Sequence, residues 1–109
     1  MTLTSVKVTT SYARLQGGMV YVLGGTSAGT FTIYNPVLPT VPLLFNGLSA
    51  GVSGGGFYID HPLFSISIDK PVSVTNSKAL TSTGGFMEII KSGSVSISNS
   101  FFYDIASTT

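Results

Sequence analysis

"VSVTNSKALTSTGGFMEII", residues 72–90, holds two kinds of strand signal in tandem. Val72 and Val74 alternate with Ser73 and Thr75 until the run stops at Asn76 and Ser77, and Gly84–Gly85 then opens a second apolar run. Alternation at a period of two marks a strand with one buried face, and a glycine pair marks a tight corner. Both signals recur on either side. The first is repeated as "VKVTTS" (6–11), "FTIYN" (31–35) and "VSISNS" (95–100); the second as "GGMVYV" (17–22) and "GGFYI" (55–59). The two alternate strictly along the chain, and no stretch is long and rich enough in good helix formers to compete.

A recurrence of paired strands in fixed order predicts an all-β solenoid, in which each turn lays one more rung on stacked parallel sheets. The unit from Val6 to Phe31 is 25 residues and that from Val72 to Val95 is 23, so the expectation is about three and a half coils of roughly 25 residues. The second unit is longer because "PVLPTVPLLFNGLSAGVS" (36–53), a Pro-rich insertion, intrudes between its two signals. The predicted stacked core is Val6, Val8, Phe31, Ile33, Val72, Val74, Val95 and Ile97, with corners at Gly17, Gly18, Gly55, Gly56, Gly84 and Gly85. On this alignment Ser94–Phe101 matches Ser5–Tyr12 and Pro71–Lys78 and opens a fourth turn, whose Gly-Gly strand falls due around residue 107. The whole of 1–109 reads as a single module of a longer repeat or an assembly. The alternative is an antiparallel β-sandwich, which also spaces short strands regularly.

"VSISNSFFYDIAS" together with the preceding "GGFYI" and "GGFMEI" is similar to the Gly-Gly-apolar and Phe-containing repeats of right-handed parallel β-helix proteins. The families meant are the polymorphic-membrane-protein-like and pectin-lyase-like repeats of large protist and bacterial surface proteins. The likeness covers most of the chain outside 36–53, and Asp104 stands where the usual Asn would follow the Phe. It implies a right-handed parallel β-helix, an extracellular or cell-surface location and a mainly adhesive or structural role, some members acting on polysaccharides.

Composition narrows the partners. Charged residues are 8% of the chain, against about 25% in ordinary soluble domains, while apolar residues stay at 43%. Lys7, Arg14, Lys70, Lys78 and Lys91 are scattered and the net charge is +1, so no basic stripe exists for nucleic acid. Low charge brings weak self-repulsion, which suits close association with other copies or with adjoining repeats. There is no cysteine for disulfides or thiolate metal sites, and no apolar run long enough for a membrane-crossing helix. The opening "MTLTSVKVTT" lacks the basic and apolar regions of a secretory signal.

Chemistry-bearing residues are few. Asp60, Asp69, Glu88 and Asp104 are the only acids, and only Asp60 and Glu88 fall about one turn apart on the repeat alignment. A calcium-dependent lyase site needs several clustered carboxylates and a basic residue, and a hydrolase needs two carboxylates across a cleft. "Asp60-His61-Pro62", with the lone histidine, reads as a turn. "GGTSAGT" (24–30) and "GVSGGG" (51–56) lack the Lys and following helix of a phosphate-binding loop. No catalytic residue, metal or cofactor is expected. Two features suit partner contact: Pro36, Pro39 and Pro42 with Leu43, Leu44 and Phe45 in the insertion, and the aromatics Phe101, Phe102 and Tyr103, which could also stack on glycans. The expected function is a non-catalytic structural or interaction module that stacks within a longer β-helix or an extracellular fibre. The alternatives are a carbohydrate-binding or carbohydrate-processing fragment, a viral or phage appendage, or an accessory subunit of a large complex.

Overall fold

The computed structural model describes residues 2–4, 10–34, 43–68, 72–97 and 100–107; the side chains of residues 2–4, Tyr34, Leu43 and Phe101 lie outside the description. The described residues form strands, bends, turns and irregular stretches, without helix. Twelve strands form three sheets. Sheet I runs in the order β1 (Thr2–Thr4), β4 (Gly29–Tyr34), β8 (Phe64–Ile68), β11 (Val95–Ile97). Sheet II runs β2 (Ser11–Ala13), β6 (Leu48–Ala50), β9 (Val72–Ala79), β12 (Phe101–Ser107), and β5 (Leu43–Asn46) also pairs with β9. Sheet III runs β3 (Val20–Leu23), β7 (Phe57–Asp60), β10 (Met87–Lys91).

The chain therefore visits the sheets in the order I, II, III three times, then I and II once more. Every pairing among the described strands is parallel, which rules out the antiparallel sandwich for these residues. The molecule measures 35 × 33 × 17 Å. Its short dimension is what about four rungs at ~4.8 Å spacing require.

Each cycle through the three sheets thus holds three strands where two were expected, and the repeat length changes accordingly. Phe31 partners Ile66 and Ile66 partners Val95, spans of 35 and 29 residues. Val20 partners Phe57 and Phe57 partners Met87, spans of 37 and 30. The stretch 94–101 does not stack on 71–78: Val95–Ile97 lies on Phe64–Ile68 in sheet I, whereas Val72–Ala79 belongs to sheet II and carries Phe101–Ser107. Sheets I and II both alternate apolar with small polar residues, so one pattern covered two surfaces. Ser107 partners Ala79, five residues before Gly84, so residue 107 itself still belongs to β12 and is not a corner.

In-register parallel stacking puts like on like. The core is built of Phe31, Ile33, Ile66 and Ile68 from sheet I, Phe45, Leu48, Val72 and Val74 from sheet II, and Phe57 and Ile59 from sheet III, with Phe86 at a corner. Phe31, Phe57, Phe86 and Phe102 form a file of edge-on and tilted rings with centroids 5.1, 5.4 and 5.3 Å apart. Of the core predicted from sequence, Phe31, Ile33, Val72 and Val74 are buried, and Val6 and Val8 lie outside the described residues. Val95 and Ile97 are in register with that core but stay exposed, because β11 is the last rung of sheet I.

The corners leading into sheet III stack as well. Gly17, Gly54 and Gly84 all have φ between 63° and 69°, the left-handed region that favours glycine. Rung-to-rung bonds continue through them: the Gly18 amide donates to Gly54 O at 3.2 Å and the Gly55 amide to Gly84 O at 2.9 Å. A Cβ on Gly55 would lie 2.0 Å from Gly85 O, and one on Gly85 would lie 2.5 Å from Ala106 O. The second corner is therefore Gly54–Gly55, not Gly55–Gly56. Gly56 occupies the position of Met19 and Phe86, where a Cβ would meet the ring of Phe86 at 2.9 Å and Leu48 at 3.0 Å. Leu48 in turn fills the place that Ser77 holds in the next rung, in the register set by Ser49 and Lys78. Bulk has moved from one side of the corner to the other.

This assignment predicts a ranking. Gly55→Ala strikes backbone and is expected to cost about 3 kcal/mol, whereas Gly56→Ala meets side chains that can shift and is expected to cost less than half of that. Urea unfolding midpoints of the two variants measure the difference; equal costs would contradict the reassigned corner.

Candidate functional site

Val95, Ile97 and Phe102 point into the same interior as Ile66, Ile68 and Val74, their partners one rung below. The lower three are at most 1% exposed, but Val95 is 39%, Ile97 37% and Phe102 41% exposed. Ile89 and Ile105, in register with Ile59 and Ser77, are uncovered in the same way. All five are on β10, β11 and β12, the last described strand of each sheet. The surface they form is the core in cross-section, bordered by three strand edges whose outer N–H and C=O groups have no described strand beyond them.

A line of positive φ crosses sheet II and ends on this surface. Asn46 partners Thr75 and Ser49 partners Lys78, so Gly47 (φ 75°) lies beside Asn76 (φ 53°); Tyr103 and Ile105 likewise bracket Asp104 (φ 55°) opposite Asn76. Asn and Asp adopt this conformation more readily than other residues with side chains. Thr75 Oγ1 and Asn76 Nδ2 both donate to Asn46 Oδ1, at 3.0 and 2.8 Å. Asn76 and Asp104 thus make the same bend on adjacent rungs.

Of the insertion expected at 36–53, residues 43–53 are described. From Leu43 onward it supplies β5 and β6, the second-coil rung of sheet II, and Phe45 is fully buried against Val74's strand, so it is core and not a partner contact. Leu44 is half-buried, and Pro36, Pro39 and Pro42 lie outside the described residues. In the FFY cluster Phe102 covers Phe86 and Tyr103 is exposed on the outer side.

The polar candidates separate. His61 is buried in its turn: Leu63 N–H donates to His61 Nδ1 and Phe64 N–H to His61 O, both at 3.1 Å. Asp69 lies outside the described residues, and the described residues hold no group of three or more His, Cys, Asp or Glu placed to bind a metal ion. Asp60 and Glu88 are on adjacent rungs of sheet III, but Glu88 faces Tyr58 in the register and Asp60 faces Lys91. Thr83 Oγ1 donates to Glu88 Oε1, while the buried Glu88 Oε2 has no hydrogen-bond partner among the described residues. Tyr21 stacks on Tyr58 with centroids 5.4 Å apart and planes 16° from parallel. Beside Tyr21 is an open depression of about 420 Å³ lined by Arg14, Leu15, Gln16 and Tyr21.

Partial burial raises the Tyr58 hydroxyl above its ordinary 10.0, and the negative charges of Asp60 and Glu88 and the neighbouring Tyr21 add to the effect. The fold favours the neutral phenol, so this contribution to stability is whole below pH 10.0 and declines as pH rises through the folded value. Tyr58→Phe is expected to flatten the alkaline fall in stability and to remove a step above pH 10.0 from the phenolate absorbance titration.

No family model, no curated protein and no solved structure matches this chain.

Proposed function

We propose that the chain is a right-handed parallel β-helix module whose role is to stack, within a longer β-helix or in an extracellular or cell-surface assembly, and that it is not an enzyme. Parallel strands visited in the cyclic order I, II, III support a helical path, and parallel crossovers are right-handed in about 98% of cases. The observation that carries the functional reading is the uncovered end. Val95, Ile97 and Phe102 continue buried files of side chains and lie open to water at 37–41% exposure. An apolar cross-section framed by strand edges is the form in which one rung receives the next. The sparse charge of the chain, 8%, opposes such contact very little.

The test is whether the 109-residue chain associates through this end. Light scattering after size exclusion is expected to give a mass above 11.3 kDa that falls on dilution. Ile97→Lys puts a charge into the contact and is expected to weaken association at least about tenfold. A wild-type chain that stays monomeric at every concentration, or an Ile97→Lys variant that associates as the wild type does, would overturn the reading.

A further inference from the structure

The outer face of sheet I differs from the rest of the surface. Phe31, Ile33, Ile66 and Ile68 are at most 1% exposed, so the residues that alternate with them point outward. These are Thr30 and Thr32 on β4 and Ser65 and Ser67 on β8. Thr30 partners Ser65, Thr32 partners Ser67, and Ser67 partners Ser96 on β11. Ser94 lies beside Ser65, to whose Oγ its amide donates at 3.2 Å. The backbone of Thr2 continues the register of Thr32 by one more rung. Two columns of hydroxyls therefore cross the sheet, with rungs ~4.8 Å apart and columns ~6.6 Å apart.

The net is also regular and uncharged. The described strands of sheet I pair without a register shift, whereas β10 and β7 slip between Ile89 and Lys91 and sheet II is bent by the positive φ of Asn76 and Asp104. Every described charge lies elsewhere: Arg14, Lys78 and Asp104 on sheet II or at its end, and Asp60, Glu88 and Lys91 on sheet III.

We propose that this face binds the surface of an ice crystal. A protein partner finds no apolar side chain and no charge to recognise among the six hydroxyl residues, and each hydrogen bond to it replaces one already made to water. Crystalline water is a different partner, because it rewards spacing. Bonded oxygens in tetrahedral water are about 2.75 Å apart, which puts second neighbours about 4.5 Å apart and repeats the net after about 7.3 Å in the perpendicular direction. The rung spacing is within about 0.3 Å of the first distance, and the column spacing is about 0.7 Å short of the second. With only two columns, that second difference is met once and does not accumulate. Serine and threonine hydroxyls offer one proton and two lone pairs, so Ser65 Oγ can accept from Ser94 and still donate outward. The six hydroxyls can thus stand in for oxygens of a growing face. A charge among them would order water about itself and spoil the match.

The inference goes beyond stacking, since each chain carries the net, and the 109-residue chain tests it directly. Ice grown slowly on a cooled surface leaves ordinary solutes in the liquid. The wild-type chain is expected to be carried into the ice, and to turn the rounded crystals of plain buffer into faceted ones. Ser67→Tyr puts a ring in the middle of the net and is expected to abolish both effects. Ser73→Tyr makes the same change at an outward position of sheet II, between buried Val72 and Val74, and is expected to leave both effects intact. Ser96→Lys repeats the test at an exposed position, where the fold tolerates a charge, and is expected to abolish both effects as well.

A wild-type chain that stays in the liquid among rounded crystals would overturn the inference. Equal losses in Ser67→Tyr and Ser73→Tyr would overturn it too, and so would a Ser96→Lys chain that enters ice as readily as the wild type. Ice binding by a chain that is monomeric at every concentration would uphold this reading while removing the stacking role.

Discussion

Where Gly55 and Gly85 stand, any side chain would collide with a carbonyl oxygen, 2.0 Å away on Gly85 in one case and 2.5 Å away on Ala106 in the other. Gly18 has the same relation to Gly55, at 2.1 Å. These three positions bring the corner before sheet III against the backbone of neighbouring rungs. The bonds from Gly18 to Gly54 and from Gly55 to Gly84 depend on that approach, and so does the register of β3, β7 and β10 beyond them. Ser11 and Ser77 reinforce it by donating their hydroxyls to Gly18 O and Gly85 O. Corner and core are therefore one constraint: Phe57 sits above Phe31 and below Phe86 only because the glycines hold successive rungs in step.

Much of this was legible in the sequence, and the part that was not has a physical cause. Glycine pairs are rare enough to be read as corners, and alternation such as Val72-Ser73-Val74 marks a strand whatever sheet it joins. Alternation has no address, however. Phe64–Ile68, Val72–Ala79 and Val95–Ile97 carry the same period-two pattern, and only the pairing of Ile66 with Val95 and of Val74 with Phe102 shows that they divide between two sheets. The triple Gly54-Gly55-Gly56 is ambiguous in one dimension and resolved in three, by the positive φ of Gly54 and by the room that Leu48 takes beside Gly56.

Burial at the end of the stack was illegible for a related reason. Nothing in "VSISN" distinguishes it from a strand that is covered on both edges, because each side chain is chosen for a neighbour one turn away. Val95 and Ile97 have their lower neighbours in Ile66 and Ile68. The same residues that complete the core from below therefore form the candidate site from above, and local pattern offers no sign of the change.

The spans between partnered residues also bear on how the chain folds. Rungs join residues 28 to 37 apart, as in Ser73 with Phe101 and Val20 with Phe57, so every rung closes a loop of comparable size before it is stabilised. The entropy of closure grows only as the logarithm of length, and the longest turn costs about 0.2 kcal/mol more than the shortest. Extra residues between sheet I and sheet II in the second turn are thus almost free in equilibrium terms. The demanding event is the first closure, when no neighbouring edge yet exists to receive a strand. Each later turn lays itself on a finished template, so the chain should collapse slowly once and then zip quickly, turn upon turn.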